Sequence, residues 1–477
     1  MDEIANFGLD VLVVSAGLLL AVLGTRLAAR VSLPNAAIFL AVTAVLASTI
    51  EQLDDVLTIL EVERIVVVAL VVILFDGGLH IGLARFRRSV GPILALGVLG
   101  TFATAGLVTL AAHYLLGLPW IVSGLVGAAI APTDPAVTFS VLGGREVRGR
   151  AGTVLEGEAG TNDPVGIALM IGLIELANED DGSFSIVVSE FALEMAIGLA
   201  VGVAGAMLLL PLLRQVHLPS PTLYPLRVLA GAGIVYGIAS VAHGSGFLAV
   251  FVAGVLLGDV AIPRKGEIET FHSSLAALAE IAAFAVLGLS VGFTGLDDAG
   301  IWGQGLALAL VLAFVARPLA VWPLLLPTSL TRGEKLFVVW GGLKGAVPIL
   351  LGALAVLREV DDSERIYGIV FVVVLFSVIV QGASVPHVAT RLGLSFRAVD
   401  HDLAEVLEYV VREDAFANGR SVRDLPLGDR AWVGVLVRDG RPRAFGPDTT
   451  LRPGDRVHVY CQPEDAAALA RIFAAAI

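Results

Sequence analysis

At 477 residues, with 57% hydrophobic and only 16% charged side chains and a mean hydropathy of +0.87, the chain lies far outside the composition of soluble domains and reads as a bilayer protein. Its net charge of -13 comes without any clustered basic face, which excludes nucleic acid as a partner. Cys461 is the only cysteine, so no internal disulfide can form.

The N-terminus Met1-Asp2-Glu3-Ile4 is acidic and lacks the basic region of a signal peptide, so the first apolar stretch is expected to remain as a span. Apolar runs of roughly 17–25 residues give about thirteen spans, near 9–29, 34–50, 65–83, 91–116, 119–142, 152–176, 186–213, 223–242, 246–262, 273–293, 301–326, 335–357 and 366–389. Alternate loops are basic: Arg26 and Arg30; Arg85, Arg87 and Arg88; Arg145, Arg148 and Arg150; Arg214; Arg264 and Lys265; Arg332 and Lys335; Arg391. The others are acidic or neutral, with Glu51, Asp54 and Asp55, then Glu179, Asp180 and Asp181, then Asp297 and Asp298, then Glu359, Asp361 and Asp362. Positive residues collect on the cytoplasmic side, so the N-terminus is expected outside the plasma membrane and the C-terminus in the cytoplasm.

Two spans are interrupted. The fifth breaks at Ala131-Pro132-Thr133-Asp134-Pro135 and the twelfth at Gly341-Gly342-Leu343-Lys344-Gly345-Ala346-Val347-Pro348. They are seven spans apart in the order of the chain, so they run in opposite directions. Interrupted apolar segments at corresponding places in two inverted halves point to a transporter's midplane site. The sixth span carries Asn162-Asp163-Pro164, and its Asp-Pro step predicts that this helix too is locally opened. A carboxyl group at membrane depth is costly and marks function by default. Two of them in a low-dielectric cavity repel, so protons and cations compete for the same oxygens. The hard oxygens expected at Thr133, Asp134, Asn162 and Asp163 suit an alkali cation, and no Cys or His cluster offers a soft-metal site. An opposite-charge pair at this depth is tolerable where a lone charge is not, so Glu158 is expected to neutralise Lys344. Glu156 is placed near the cytoplasmic mouth, and Asp76 in Leu74-Phe75-Asp76-Gly77-Gly78 at the site's periphery. His113, His243 and His272 fall at span ends or loops, and Gln381 reads as a helix-packing residue.

Beyond about residue 392 charges become frequent and strand-like alternation appears at 431–437 and 456–460. Asp439-Gly440 and Pro453-Gly454-Asp455 read as turns, and 463–474 as a closing helix. The expected architecture is therefore an α-helical polytopic membrane domain, 1–391, with inverted repeats and two discontinuous crossing helices. A small α/β cytoplasmic domain, 392–477, follows it.

The motifs at Leu74–Gly78, Thr133-Asp134-Pro135, Phe139–Gly144, Glu156-Gly157-Glu158 through Asn162-Asp163-Pro164, and Trp340–Pro348 together resemble the NhaP-type branch of the monovalent cation:proton antiporters. Among these the chain is most similar to potassium/proton antiporters with a C-terminal domain. Its tail resembles a TrkA-C (RCK-C) domain through Asn418–Val422, Leu425-Pro426-Leu427 and Leu451–Asp455. The resemblance implies an electroneutral K+ or Na+/H+ antiporter serving pH homeostasis, no enzyme activity or cofactor, a homodimer in the lipid bilayer, and a tail that senses a small molecule. It implies Asp163 as the principal cation- and proton-binding carboxylate, Asn162 as its partner, and Asp134 and Thr133 as the unwound crossover. It implies that Glu158 pairs with the basic residue of the later crossover, where Lys344 stands in place of the usual arginine. A gated cation channel or ligand-gated potassium efflux system is the alternative, but no TVGYG-like filter is present. An intramembrane aspartyl protease would place an aspartate in Gly-x-Gly-Asp, and neither Asp134 nor Asp163 sits in one. For the tail, a purely structural dimerisation module competes with ligand sensing.

Overall fold

The computed structural model describes residues 8, 19, 22–23, 34–49, 57–135, 137–138, 142, 145–147, 150–178, 184–290, 300–394, 396–398, 405–427, 431–461 and 466–473. Of the expected span near 9–29 only residues 19, 22 and 23 are described, and the loop charges at 26, 30, 51, 54, 55, 148, 179–181, 297 and 298 lie outside the described residues. The chain divides into two compact units, Met1–Arg397 and Ala398–Ile477.

Among its described residues the first unit is helical apart from turns and the short strand Arg145–Val147, because in hydrocarbon every backbone polar group must find its partner within the segment. Its helices are α1 (Asn35–Thr49), α2 (Ile59–Leu94), α3 (Thr101–Leu116), α4 (Trp120–Ile130), α5 (Arg150–Asn178), α6 (Phe184–Gln215), α7 (Leu223–Val241) and α8 (Gly246–Gly258). They continue with α9 (Lys265–Leu289), α10 (Ile301–Val311), α11 (Arg317–Leu325), α12 (Arg332–Trp340), α13 (Ala346–Leu357), α14 (Ser363–Phe376) and α15 (Gly382–Arg391). Among the described residues, six helical stretches are long and apolar enough to cross a membrane, and α1, α4, α8 and α13 are shorter apolar helices. Starts are set by local chemistry: Thr58 with Glu61 and Thr331 with Glu334 form reciprocal capping boxes, and Ser245 accepts from the Leu248 amide.

The expected loop at Arg85–Arg88 is helical. The chain turns instead at one residue, Gly82, whose φ of 63° and ψ of 161° no side-chain-bearing residue adopts readily. The Asp259 carboxylate accepts from the Ala84 amide just beyond it. A π-helical turn, Ala95–Gly100, joins α2 to α3; others, Leu312–Ala316 and Ser377–Gln381, join α10 to α11 and α14 to α15. Helix α8 packs against α2, α6 and α7, and α9 against α1 and α2. The α2–α8 crossing is close because Gly78 and Gly254 face each other's backbone: a Cβ on Gly78 would lie 2.6 Å from the Phe251 carbonyl oxygen, and one on Gly254 2.5 Å from that of Phe75. Helix α13 packs against α14 and α4, and α5 against α2, α4 and α6.

The second unit is an antiparallel sheet of β1 (Glu405–Val410), β2 (Trp432–Arg438), β3 (Arg441–Arg443) and β4 (Arg456–Cys461), in the order β1-β4-β2-β3, closed by α16 (Ala466–Phe473). The expected hairpin forms at Asp439-Gly440, where both φ angles are positive, as a two-residue β-turn of this kind requires. Strand β1 lacks the alternation that marks β2 and β4, and was not expected from the sequence. Gly434 forms a bulge in β2, against the Tyr460 ring, which stacks on Trp432 at 5.4 Å. Tyr409, Val457, Val459, Leu469 and Phe473 make the core, together with Cys461, which is buried although the sequence places it in a polar tail. Burial acts to raise Asp455, but bonds from the Arg438 fork and the Arg452 amide outweigh it and hold the carboxyl below the usual range.

Candidate ion-binding site at the helix breaks

Helix α4 stops at Ile130, and α12 stops at Trp340, each leaving its last carbonyls without intrahelical partners. Buried helix ends of this kind carry partial negative charge and demand donors. The structure supplies a different cation to each. Lys344 reaches back from the second break, and its Nζ donates to the carbonyls of Ala131 at 2.8 Å and Pro132 at 2.9 Å. Arg317, from the start of α11, donates through Nε to Val339 at 3.0 Å and through a terminal nitrogen to Val338 at 3.1 Å.

The breaks touch directly. The Asp134 amide donates to the Leu343 carbonyl at 2.8 Å, and the Thr138 hydroxyl to that of Gly341 at 2.7 Å. The Lys344 amide donates to Ser377 Oγ at 3.0 Å, and Gln381 Nε2 to the Trp340 carbonyl at 2.7 Å. Gln381 therefore satisfies a break carbonyl rather than merely packing. Two glycines make room for this crossing. A Cβ on Gly342 would lie 2.0 Å from the Arg317 guanidinium carbon, and one on Gly345 1.9 Å from Asp134 Oδ2.

Glu158 does not pair with Lys344 as expected. Its carboxylate takes a two-pronged contact from Arg317, at 2.8 Å and 3.2 Å, with both side chains nearly fully buried. The physical reason is shape: a planar guanidinium fork matches a carboxylate and two helix carbonyls at once, whereas the lysine point charge is consumed by Ala131 and Pro132. Sequence reading missed Arg317. Its signal was a charge within the apolar run 301–326, followed by Pro318.

Asp163 is 6% exposed on α5, with Asp134 and Lys344 the charges that act on it. The helix around it is not opened as expected; α5 runs unbroken from Arg150 to Asn178 with Pro164 inside it. Proline still removes one donor, so the Gly160 carbonyl loses its intrahelical partner one turn below the carboxylate. Asn162 donates to Thr133 Oγ1 at 2.8 Å, tying α5 to the first break, while its own Oδ1 is buried without a hydrogen-bond partner. Thus Thr133, Asp134, Asn162 and Asp163 come together as expected, with an uncommitted amide oxygen among them.

Asp76 stands apart from the breaks, half-buried on α2, where it meets His80 Nδ1 at 3.3 Å and the Ser273 hydroxyl at 3.4 Å. Glu156 is half-buried and within electrostatic reach of His80. His272, expected at a span end, is fully buried inside α9 against Phe75. A cavity of about 210 Å³ is lined by Glu63, Ile167, Ile171, Ile174, Glu175, Tyr236 and Arg358 among others. Ile167, Ile171 and Ile174 follow Asp163 along one face of α5. A larger cavity of about 520 Å³, beside Pro92, Val154 and Leu324, touches none of the site residues.

Residues 16–391 match the family described as sodium/hydrogen exchanger, transmembrane, and residues 406–474 match the TrkA-C domain. The chain belongs to the sodium/hydrogen exchanger family. It is 33% identical over 424 residues to the K(+)/H(+) antiporter NhaP of Alkalimonas amylolytica, covering 86% of this chain and 73% of the relative. It is 30% identical over 369 residues to the Na(+)/H(+) antiporter NhaH of Halobacillus aidingensis, covering 72% and 88%. The sodium proton antiporter MjNhaP1 of Methanocaldococcus jannaschii shares its fold, with a TM-score of 0.67 at 22% identity over 80% of this chain and all of that one. The chain is thus a multi-pass membrane protein of a transporter family, bearing a C-terminal TrkA-C domain.

Proposed function

We propose that this protein is a secondary antiporter that expels a monovalent cation, K+ or Na+, from the cytoplasm in exchange for an entering proton, without net movement of charge. The observation that carries the reading is Asp163, buried beside the unpartnered Asn162 Oδ1 at the meeting of two broken helices whose ends are already satisfied by Lys344 and Arg317. With those cations committed to helix ends and to Glu158, the Asp163 carboxylate and Asn162 Oδ1 are oxygens that a cargo cation can use. A carboxylate there holds either a proton or an alkali cation, and exchange follows if the protein alternates its access only when loaded.

Asp163 is the residue that trades one for the other, with Asn162 Oδ1, Thr133 and Asp134 completing the oxygen set. Glu158, Arg317 and Lys344 hold the breaks together. The cavity beside Ile167, Ile171 and Ile174 on α5 supports an approach to Asp163 from that end of the helix, and with the basic loops taken as cytoplasmic this end is the outer one. By family likeness the protein works as a homodimer in the plasma membrane, and the TrkA-C domain regulates exchange in response to a small ligand. Kinship to antiporters named for either ion supports the cation class and leaves K+ and Na+ on equal footing.

The test is proteoliposome exchange by Asp163→Asn. The substitution preserves volume and hydrogen-bonding shape but removes the titrating charge, so cation-dependent proton flux should vanish while the protein stays folded and monodisperse. Retained flux would overturn the assignment of Asp163.

A further inference from the structure

We propose that the larger cavity of the membrane unit is a binding site for an anionic phospholipid of the cytoplasmic leaflet, with Arg150 as its phosphate-binding residue. The cavity holds about 520 Å³, within the range of small-molecule sites. Its walls come from the end of α2, the start of α5, and the end of α11 with the turn that follows. Along these walls the lining passes from polar to apolar: Arg150 gives way to Val154 on α5, and Thr328 to Leu324 at the end of α11. On α2, Arg87 and Arg88 precede the wall residues Gly91 and Pro92 by one turn, on the same face. The cavity therefore has a cationic mouth and an apolar interior.

Among the described residues that line it, Arg150 is the one that carries charge. Its guanidinium donates to Ser329 Oγ at 2.6 Å and to the Arg88 carbonyl. Those bonds fix the fork between α2 and the turn after α11, and they leave the rest of its five N–H groups for an incoming anion. Arg150 is exposed, so those donors can be reached. The Ser329 hydroxyl accepts from Arg150 and keeps its own proton for a bond to the same anion. Lys335 adds charge close by, its Nζ donating to the carbonyl of Leu326, next to the wall residue Pro327, at 3.1 Å. Glu334, the acid of that turn, is folded back on Thr331. Glu156, two residues past Val154, falls on the opposite side of α5.

A phospholipid satisfies both halves of this site. Free phosphate would use the fork and leave the apolar interior empty, whereas a lipid without net charge would fill the interior and leave the cations uncompensated. The walls continue into exposed apolar side chains, Leu94 beside Ala95 and Leu326 beside Pro327, which in a bilayer face lipid. An acyl chain can thus enter sideways from the membrane. With the basic loops taken as cytoplasmic, Arg88 and Arg150 stand at the inner leaflet, where anionic lipids concentrate and basic pockets between helices bind their headgroups. Helix α5 carries Asp163 and α11 begins at Arg317, so a seated lipid braces the inner ends of helices that build the ion site.

Thermal unfolding of the full-length protein, delipidated in detergent, tests this over concentration series of dioleoyl phosphatidylglycerol, dioleoyl phosphatidylcholine and inorganic phosphate. The proposal expects phosphatidylglycerol to stabilise saturably, phosphatidylcholine to act at concentrations higher by about tenfold or more, and phosphate to have no effect. Two variants separate the ends of the site, each read against its own lipid-free baseline. Arg150→Gln removes the charge, and Gly91→Leu fills the cavity from a wall where nothing stands within 4 Å of an added Cβ. Each should raise the phosphatidylglycerol midpoint by about tenfold, and Arg150→Lys should recover part of the loss. Should loss of the Ser329 bond unfold Arg150→Gln, Gly91→Leu carries the test, since it leaves that bond in place. Arg214→Gln, at the end of α6 and outside the lining, should keep the native midpoint. Equal response to the two lipids, a native midpoint in Arg150→Gln or Gly91→Leu, or an equal loss in Arg214→Gln would overturn the site. Stabilisation by inorganic phosphate to match phosphatidylglycerol would overturn the lipid as its occupant.

Discussion

Glu158 and Arg317 concentrate several bonds on one buried group: a single guanidinium bonds a buried carboxylate and two carbonyls of α12. Removing one partner of a buried pair leaves the other charged and unsolvated, which costs about 3–5 kcal/mol. Glu158→Gln should therefore lower the melting temperature sharply, whereas Lys344→Arg should be mild, because an arginine can still donate to Ala131 and Pro132. Thermal unfolding of the purified protein decides it; a Glu158→Gln variant as stable as the native chain would show that the Arg317 charge is compensated elsewhere. At this scale Asp134, Glu158 and Asp163 stood out in the sequence through their cost in an apolar run. It could not assign partners, because Glu158 and Arg317 are 159 residues apart and the charge of a lysine or an arginine is equally acceptable to a carboxylate. Only the fork geometry separates them.

The broken helices work as elements because their caps and glycines fix the gap between them. Gly345 admits the Asp134 carboxylate so closely that an added methyl would sit 1.9 Å from an oxygen, a distance no rotation of neighbouring side chains relieves while Asp134 and Lys344 both keep their bonds. Gly345→Ala should abolish exchange with helical content retained, while Gly106→Ala, where nothing stands within 4 Å of the new methyl, should leave exchange and stability within about 0.5 kcal/mol of native. Paired flux and circular dichroism measurements check both, and active Gly345→Ala would mean that the crossing tolerates a wider gap. The two breaks were readable because Pro-Thr-Asp-Pro and Gly-Gly-Leu-Lys-Gly cannot continue an apolar helix. Asp163-Pro164 carries the same signal and breaks nothing, since α5 is gripped along its length: Gly157 meets Ile93, Gly160 meets Phe251 and Gly166 meets Pro132. Packing overrides one lost backbone bond. The reverse misreading occurred at Arg85–Arg88, where charge implied a loop and a single glycine with the Asp259 cap was enough to turn the chain.

For the molecule as a whole, exchange requires that cation and proton exclude each other at one site and that the empty, doubly accessible state be avoided. With Asp163 as the shared group, each proton bound removes one cation site, so the apparent cation KM should rise as pH falls, approaching about tenfold per pH unit where the carboxyl is mostly protonated. The maximal rate at saturating cation should change far less, because enough cation displaces the proton. Swapping one monovalent cation for one proton moves no net charge, so clamping the membrane potential at different values should leave the rate unchanged. The measurement is proteoliposome flux over a matrix of pH and cation concentration, with potential set independently. A KM indifferent to pH would separate the two ions onto different sites and place the proton on a group other than Asp163. A rate that follows the potential would make the stoichiometry unequal, and the second charge would then have to ride on one of the buried carboxylates beside it.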